Sequence, residues 1–376
     1  MRRICYVTGT RADFGLMERT LRLANTDPRL DVSVCVTGMH LLPQYGYTVK
    51  EIEAAEIRIL ARIPVMLDGS TGGVMARAIG HELVGMVEAF DRTSPNLVLV
   101  LGDRGEMLAG ALAAIHLNIP VAHVHGGERS GTVDEPVRHA ISKLAHYHFV
   151  TTKSARERLI RMGERPEHIF VTGAPGLDSL TGAARYSRHE LCSKYGFDPN
   201  RPLVIMVFHP VLQEWQSAGT QASEIMQAII TERCQALCLM PNSDAGGQLI
   251  RDVLRQHAGH PDIRLDEHLT RDDYLSWLSA ADALVGNSSS GIIEAATFGL
   301  PVINVGSRQD GRERSGNVID AEPQAAAIAL ALRTALKTGH GSWENIYGDG
   351  RAGERIVELL ATVPLSRGLL LKTNAY

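Results

Sequence analysis

LVLVLGDRGEMLAGALAAIHLNIPVAHVHGGE, residues 97–128, decides the fold. Its first five residues form an unbroken apolar run, too short for a helix and without the alternation of a half-exposed strand. Such a run reads as a strand covered on both faces. Gly102-Asp103-Arg104 breaks it, a helical stretch (GEMLAGALAAIHL) follows, and a second apolar run, PVAHV (120–124), ends in His125-Gly126-Gly127-Glu128. Strand, helix and strand in this order predict two parallel strands joined by a helical crossover.

The pattern extends in both directions. Upstream, ICYV (4–7) precedes a helix-like stretch from Gly15 to Ala24, then VSVCV (32–36) and a long amphipathic stretch from Val74 to Phe90. Downstream come a helix near Pro136–Ala145 and the runs HFVTT (148–152) and HIFVTG (168–173). The segment 174–201 is richer in Gly, Pro, Ser and charge and reads as a linker. The alternation then restarts with PLVIMVF (202–208), ALCLM (236–240), DIRL (262–265), ADALVG (281–286) and PVINVG (301–306). With 376 residues the chain is long enough for two domains. The expectation is an α/β protein of two doubly wound, Rossmann-like domains, 1–178 and 179–376, with a last helical stretch, about 350–376, able to pack back on the first.

Composition narrows the function. Apolar residues make up 44% and charged residues 21%, which excludes wholesale disorder. A net charge of −4 gives no general attraction to nucleic acid or to an anionic membrane. No run approaches a membrane span, and the apolar stretch at the start is too short for a signal peptide. Five cysteines without a C-x-x-C spacing argue against a disulfide framework, with Cys5 and Cys35 read as buried thiols. These features predict a soluble, cytoplasmic protein.

Chemistry-bearing residues follow the strand runs: Thr8-Gly9-Thr10-Arg11, Gly102-Asp103-Arg104, His125-Gly126-Gly127-Glu128, His209-Pro210, Pro241-Asn242-Ser243-Asp244 and Asn287-Ser288-Ser289-Ser290-Gly291. Ligands of open α/β sheets bind outside those ends. Small residues there also serve ordinary turns, but six such groups in register point to a site. GNSSSGIIEA (286–295) combines hydroxyls with the opening of a helix, a donor set suited to phosphate. It lacks the Lys-Ser/Thr of a Walker loop and the spacing of a dinucleotide fingerprint. Glu294 can accept from ribose hydroxyls or simply face a helix N-terminus. Arg11 can fork onto a diphosphate or form a surface ion pair. HVHGGERSGTVDEPVRH (123–139) gathers His123, His125, Glu128, Asp134, Glu135, Arg138 and His139, a set rich in proton-transfer groups but without helical zinc spacing. His146 and His148 read as packing residues at a strand start, and Phe208, Trp215, Trp277 and Phe298 as core.

TGTRADFG (8–15), VTGMH (36–40), GDRGEMLAG (102–110), HVHGGERSGTVDEPVRHAISKLAH (123–146), FHP (208–210), GNSSSGIIEA and VGSRQDGRERSG (305–316) together resemble the hydrolysing UDP-N-acetylglucosamine 2-epimerases of bacterial sialic-acid synthesis. The resemblance runs in order along nearly the whole chain. It implies the domain arrangement of the B-type glycosyltransferases, an active site in the interdomain cleft, a homodimer or homotetramer, and no metal or other cofactor. It puts acid–base work on Asp103, Glu128 and Asp134, with Asp103 matching the family's G-D motif and Asp134 the first acid of its G-T-x-D-[DE] motif. It puts UDP on Arg11, His209, Ser288, Ser289 and Glu294, and the neighbouring Arg138, Asn242, Ser290 and Gly291 join that candidate nucleotide set. Other branches, including the animal bifunctional enzymes, read H-I-E-G-G-E where this chain has His123-Val124-His125-Gly126-Gly127-Glu128. His125 therefore takes the place of their catalytic glutamate and joins the catalytic candidates, with His209 beside it. Some bacterial members, and relatives acting on UDP-diacetylbacillosamine, share that histidine.

The implied reaction turns UDP-GlcNAc and water into ManNAc and UDP through 2-acetamidoglucal. UDP-N,N'-diacetylbacillosamine is the alternative substrate. A B-type glycosyltransferase or a non-catalytic nucleotide-sugar sensor would keep the nucleotide site without the water addition.

Overall fold

The computed structural model describes residues 1–66, 72–129, 134–178, 180, 184–241, 246–267 and 269–375. The chain divides into two compact units. The first comprises Met1–Glu128, Val133–Asp178 and Tyr347–Tyr376, and the second Ser179–Ile346 with Arg129–Thr132.

The first unit holds a seven-stranded sheet: β1 (Arg2–Thr8), β2 (Leu30–Val36), β3 (Arg58–Arg62), β4 (Leu97–Leu101), β5 (Val121–Val124), β6 (Tyr147–Val150) and β7 (Ile169–Val171). Its order is β3-β2-β1-β4-β5-β6-β7, and every pairing is parallel. Successive side chains of a strand leave opposite faces of a sheet. Ile4 and Tyr6 of β1, with Leu97 and Leu99 of β4, enter one core together with Phe14, Met17 and Phe149. Cys5, Val7, Val98 and Val100 enter a second core against Phe90, Met107 and Ile141. Two apolar faces require unbroken apolar strands, which is why residues 97–101 read as they do. The helix Ala352–Thr362 seats Ile356, Val357 and Leu360 in the first of these cores. Truncating Ile356 to Ala would remove about 2–5 kcal/mol.

The second unit holds a six-stranded parallel sheet: β8 (Leu203–Val207), β9 (Gln235–Leu239), β10 (Ile263–Asp266), β11 (Ala283–Gly286), β12 (Val302–Val305) and β13 (Val318–Ala321). Its order, β10-β9-β8-β11-β12-β13, is that of the Rossmann fold. In both sheets the strand order reverses beside the first strand, so the crevices for ligands open past β1 and β4 and past β8 and β11.

Two strands escaped the sequence reading, β3 and β13. Each is an edge strand whose residues are half-buried or exposed, so neither carries an apolar run. The segment 174–201 is not all linker. It contains the helix Arg188–Tyr195, opened by a capping box between Ser187 and Glu190 and closed by Gly196 in the left-handed region. Trp277 and Phe208 are core residues, but Trp215 is 45% exposed, which corrects its assignment to the core. All five cysteines are free and buried. Among the described residues, no helix is long and apolar enough to cross a membrane.

Candidate active site

In the first unit the site grows from three strand ends. Past β1, Thr10 caps the helix Arg11–Thr26, and Asp13 returns the bond in a capping box. The buried Asp13 carboxylate also accepts from the backbone of Gly9 (3.2 Å) and Thr10 (2.7 Å), so the turn carrying Arg11 is fixed from beneath. Past β4, Asp103 is paired with the guanidinium of Arg138, whose side chain is only 2% exposed. Arg138 also donates to the Glu128 carbonyl at 3.2 Å. It thereby joins the ends of β4 and β5 from the helix Asp134–Leu144. His123 on β5 reinforces that link, with Nε2 2.7 Å from the Gly102 carbonyl and Nδ1 3.1 Å from Ser142 Oγ. Burial pushes its imidazole down to about 3, so it is a neutral structural group at neutral pH.

Past β5 the backbone is unusual. His125 has φ +63, a left-handed conformation seldom adopted by a residue with a side chain. Its backbone N–H still donates to Phe149 O of β6 at 3.1 Å. Two residues on, Gly127 has φ +75, and a Cβ there would meet the Ala155 carbonyl at 2.6 Å. The tight path returns Glu128 to His125: Oε1 lies 2.8 Å from Nδ1 of the ring and accepts from Thr151 Oγ1 at 2.9 Å. Asp103, His125, Glu128 and Arg138 are therefore one hydrogen-bonded group. Asp134 opens the helix that carries Arg138, and its side chain lies outside the described residues.

The second unit builds a different group at the matching edge. Gly286 at the end of β11 has φ +140, and a Cβ there would stand 2.1 Å from the Val207 carbonyl, so only glycine brings the ends of β8 and β11 this close. Asn287 then locks them, accepting from the His209 N–H at 2.8 Å and donating to the His209 carbonyl at 2.9 Å. Ser288 caps the short helix Ser289–Ile293, with its Oγ 2.8 Å from that of Ser290. Ser290 Oγ in turn bonds Tyr274 Oη. Glu294, 3% exposed, closes the helix rather than opening it and pairs with Arg271 at 2.9 Å. Gly291 is buried within that turn. Arg308 donates to the Asn287 carbonyl at 3.1 Å. Burial, helped by the Arg308 charge, pushes the His209 imidazole down to about 3. The edge thus offers two guanidinium groups, several hydroxyls and a neutral imidazole donor, a set matched to a diphosphate. Asn242 lies outside the described residues.

Four participants were not among the expected site residues. Thr151 follows β6, Arg271 and Tyr274 sit on the helix Arg271–Ala280, and Arg308 lies inside the quoted VGSRQDGRERSG stretch. That last motif was the available signal for Arg308. Nothing in the periodicity of 271–280 singles out its first turn.

One Rossmann-type sheet thus carries a carboxylate–imidazole group and the other an edge of hydroxyls, an imidazole and guanidinium groups. The family model for UDP-N-acetylglucosamine 2-epimerase matches residues 22–361, and the chain belongs to that family. A hydrolysing UDP-N,N'-diacetylbacillosamine 2-epimerase from Legionella pneumophila is 53% identical over 100% of both chains. A UDP-N-acetylglucosamine 2-epimerase from Neisseria meningitidis is 33% identical over 96% of this chain and 95% of its own. Among solved structures, S. aureus MnaA with UDP superposes with a TM-score of 0.81 at 21% identity, covering 96% of each chain. A UDP-GlcNAc-bound 2-epimerase from Neisseria meningitidis gives 0.81 at 19% identity, covering 95% of this chain and 99% of its own. These likenesses carry the fold: the chain has the two-domain, B-type-glycosyltransferase-like fold that its motifs implied.

Proposed function

We propose that this protein is a hydrolysing UDP-N,N'-diacetylbacillosamine 2-epimerase, releasing UDP and the 2-epimeric 2,4-diacetamido sugar. The observation that carries the choice of sugar is the 53% identity, end to end, to a relative of that name, against 33% to one named for UDP-N-acetylglucosamine. The order of the two substrates expected from the motifs alone is thereby reversed, and UDP-N-acetylglucosamine becomes the second reading.

The chemistry asks for the groups described. In a gluco-configured α-linked UDP-sugar, the hydrogen on carbon 2 and the diphosphate on carbon 1 are axial and on opposite faces. A base removes the hydrogen, its bonding pair becomes the carbon 1–carbon 2 double bond, and the carbon 1–oxygen pair leaves with UDP. Charge gathers on the departing diphosphate, where Arg11, His209, the Ser288–Gly291 turn and Arg271, held by Glu294, stabilise it. Water then adds its oxygen to carbon 1, and a proton reaches carbon 2 from the other face. Asp103, Asp134 and the hydrogen-bonded pair of His125 and Glu128 are the acid–base set. Arg138 holds Asp103 from the protein side, and Asn242 belongs to the nucleotide side.

The test is a comparison of both UDP-sugars with the products identified by NMR. The proposal expects kcat/KM higher for UDP-N,N'-diacetylbacillosamine by about 10–100-fold, the range that pocket contacts to the differing substituents at carbons 4 and 6 supply. A preference for UDP-N-acetylglucosamine would establish the second reading instead.

A further inference from the structure

We infer that His125 and Glu128 form a catalytic dyad in which Nε2 of His125 is the base that takes the hydrogen from sugar carbon 2, while Glu128 is a positioning residue that never meets the sugar. The inference deepens the elimination reading above and rests on it.

Three observations lead there. Glu128 Oε1 is 2.8 Å from Nδ1 of His125, and both side chains are more than nine-tenths buried. A buried carboxylate at that distance holds the ring proton on Nδ1 and leaves the lone pair on Nε2. Thr151, donating to the same oxygen at 2.9 Å, keeps the carboxylate in place. Second, Nε2 is buried and has no hydrogen-bond partner among the described residues. A buried ring nitrogen whose opposite side is so carefully bonded is aimed at something. Third, the residue stands one position past β5, at the ligand edge of the sheet, with φ +63. A side chain kept in the left-handed region is strained, and such strain persists where the surroundings over-determine it. Glycine would satisfy the turn better. The histidine is there for its ring.

The step balances without an added reactant. Neutral His125 accepts the carbon 2 proton at Nε2 and becomes imidazolium, stabilised through Nδ1–H by Glu128. The carbon–hydrogen pair forms the double bond, and UDP leaves with the carbon 1–oxygen pair. The imidazolium proton then exchanges with solvent.

The experiment uses the full chain in four forms: wild type, His125→Gly, Glu128→Ala and the double variant. Glycine accepts φ +63 without strain, so His125→Gly is expected to fold, with UDP affinity by calorimetry within about twofold of wild type. Its kcat should fall by about 10²-fold or more, the usual contribution of a general base. Imidazole added to the solution should restore part of that rate saturably, because the vacated space faces the reacting carbon. Glu128→Ala should lower kcat with little change in KM, yet cost nothing further when His125 is already glycine, since it acts only through the ring.

Equal losses from Glu128→Ala in both backgrounds would show Glu128 meeting the sugar itself and overturn the dyad. So would His125→Gly turning over near the wild-type rate, or releasing the glycal intermediate, which would move His125 to the hydration step. The parent reading is checked separately with wild type in D₂O. Product keeping its original carbon 2 hydrogen would remove elimination, and the dyad with it. Deuterated product beside non-additive, imidazole-rescued variants would establish both.

Discussion

The two units share a sheet topology and put their functional groups past the ends of central strands, yet the groups are opposite in kind. The edge past β4 and β5 holds carboxylates and imidazoles wired to one another: Asp103 to Arg138, Arg138 to the Glu128 carbonyl, Glu128 to His125. The edge past β8 and β11 holds hydroxyls, an imidazole and the guanidinium groups of Arg271 and Arg308 around Asn287 and Glu294. The first suits the movement of protons, the second the arrival and departure of a diphosphate. The contrast shows that the Rossmann sheet supplies a place rather than a chemistry, and that the residues after each strand supply the rest.

If the separation is real, damage to one edge should leave the other's function standing. The largest effect is expected from Asp103→Asn: turnover down by about 10²-fold or more with UDP affinity unchanged in calorimetry. Parallel loss of UDP binding would break the comparison. Arg308→Ala should weaken UDP binding by about 1.5–3 kcal/mol, as for a hydrogen bond to a charged group, while residual product made in D₂O keeps its wild-type deuterium content. A changed label would bring Arg308 into the proton chemistry.

A third prediction uses what the edges have in common, a neutral histidine in each. His123 and His209 both sit at about 3, below the ordinary imidazole value, so the unfolded chain takes up their protons first. Stability supplied above pH 6.5 is therefore lost as pH falls toward 3, by up to about 1.4 kcal/mol per pH unit for the fully buried His123. Denaturant titrations of His123→Gln between pH 5 and pH 7 should show a shallower slope than wild type. An unchanged slope would mean that His123 is already protonated in the fold. The smallest effect belongs to Ser288→Ala, where loss of a helix cap over one short turn should remove about 1 kcal/mol of stability and sharpen how much of the anion edge depends on that turn.

Much of this was readable from the chain. Strands buried on both faces announce themselves because every residue must be apolar, and β1, β4, β8 and β11 did so. The edge strands β3 and β13 are not enclosed, so their sequences carry no such demand. The same asymmetry governs the site. Asp103, His125, Glu128 and Ser288 directly follow apolar runs and could be picked out by position. The bond between His125 and Glu128 could not, because it depends on a left-handed residue and a glycine that fold three residues back on themselves. Arg271 and Tyr274 reach the second edge from the start of a helix whose Leu275, Trp277 and Leu278 pack into the unit, and a linear pattern does not separate the two duties.

The helix Ala352–Thr362 carries a consequence for synthesis. It belongs to the first unit, and the second unit is inserted ahead of it. A ribosome therefore completes all of β8 to β13 before it makes Ile356 and Leu360, which fill the core beneath β1 and β4. The nascent first unit lacks this helix while the second, whose strands all lie within Ser179–Ile346, can close. The order of completion is the reverse of the order of appearance: all strands of the second unit are made first, and the edge past β4 and β5 gains its last supporting helix only as residues 352–362 emerge.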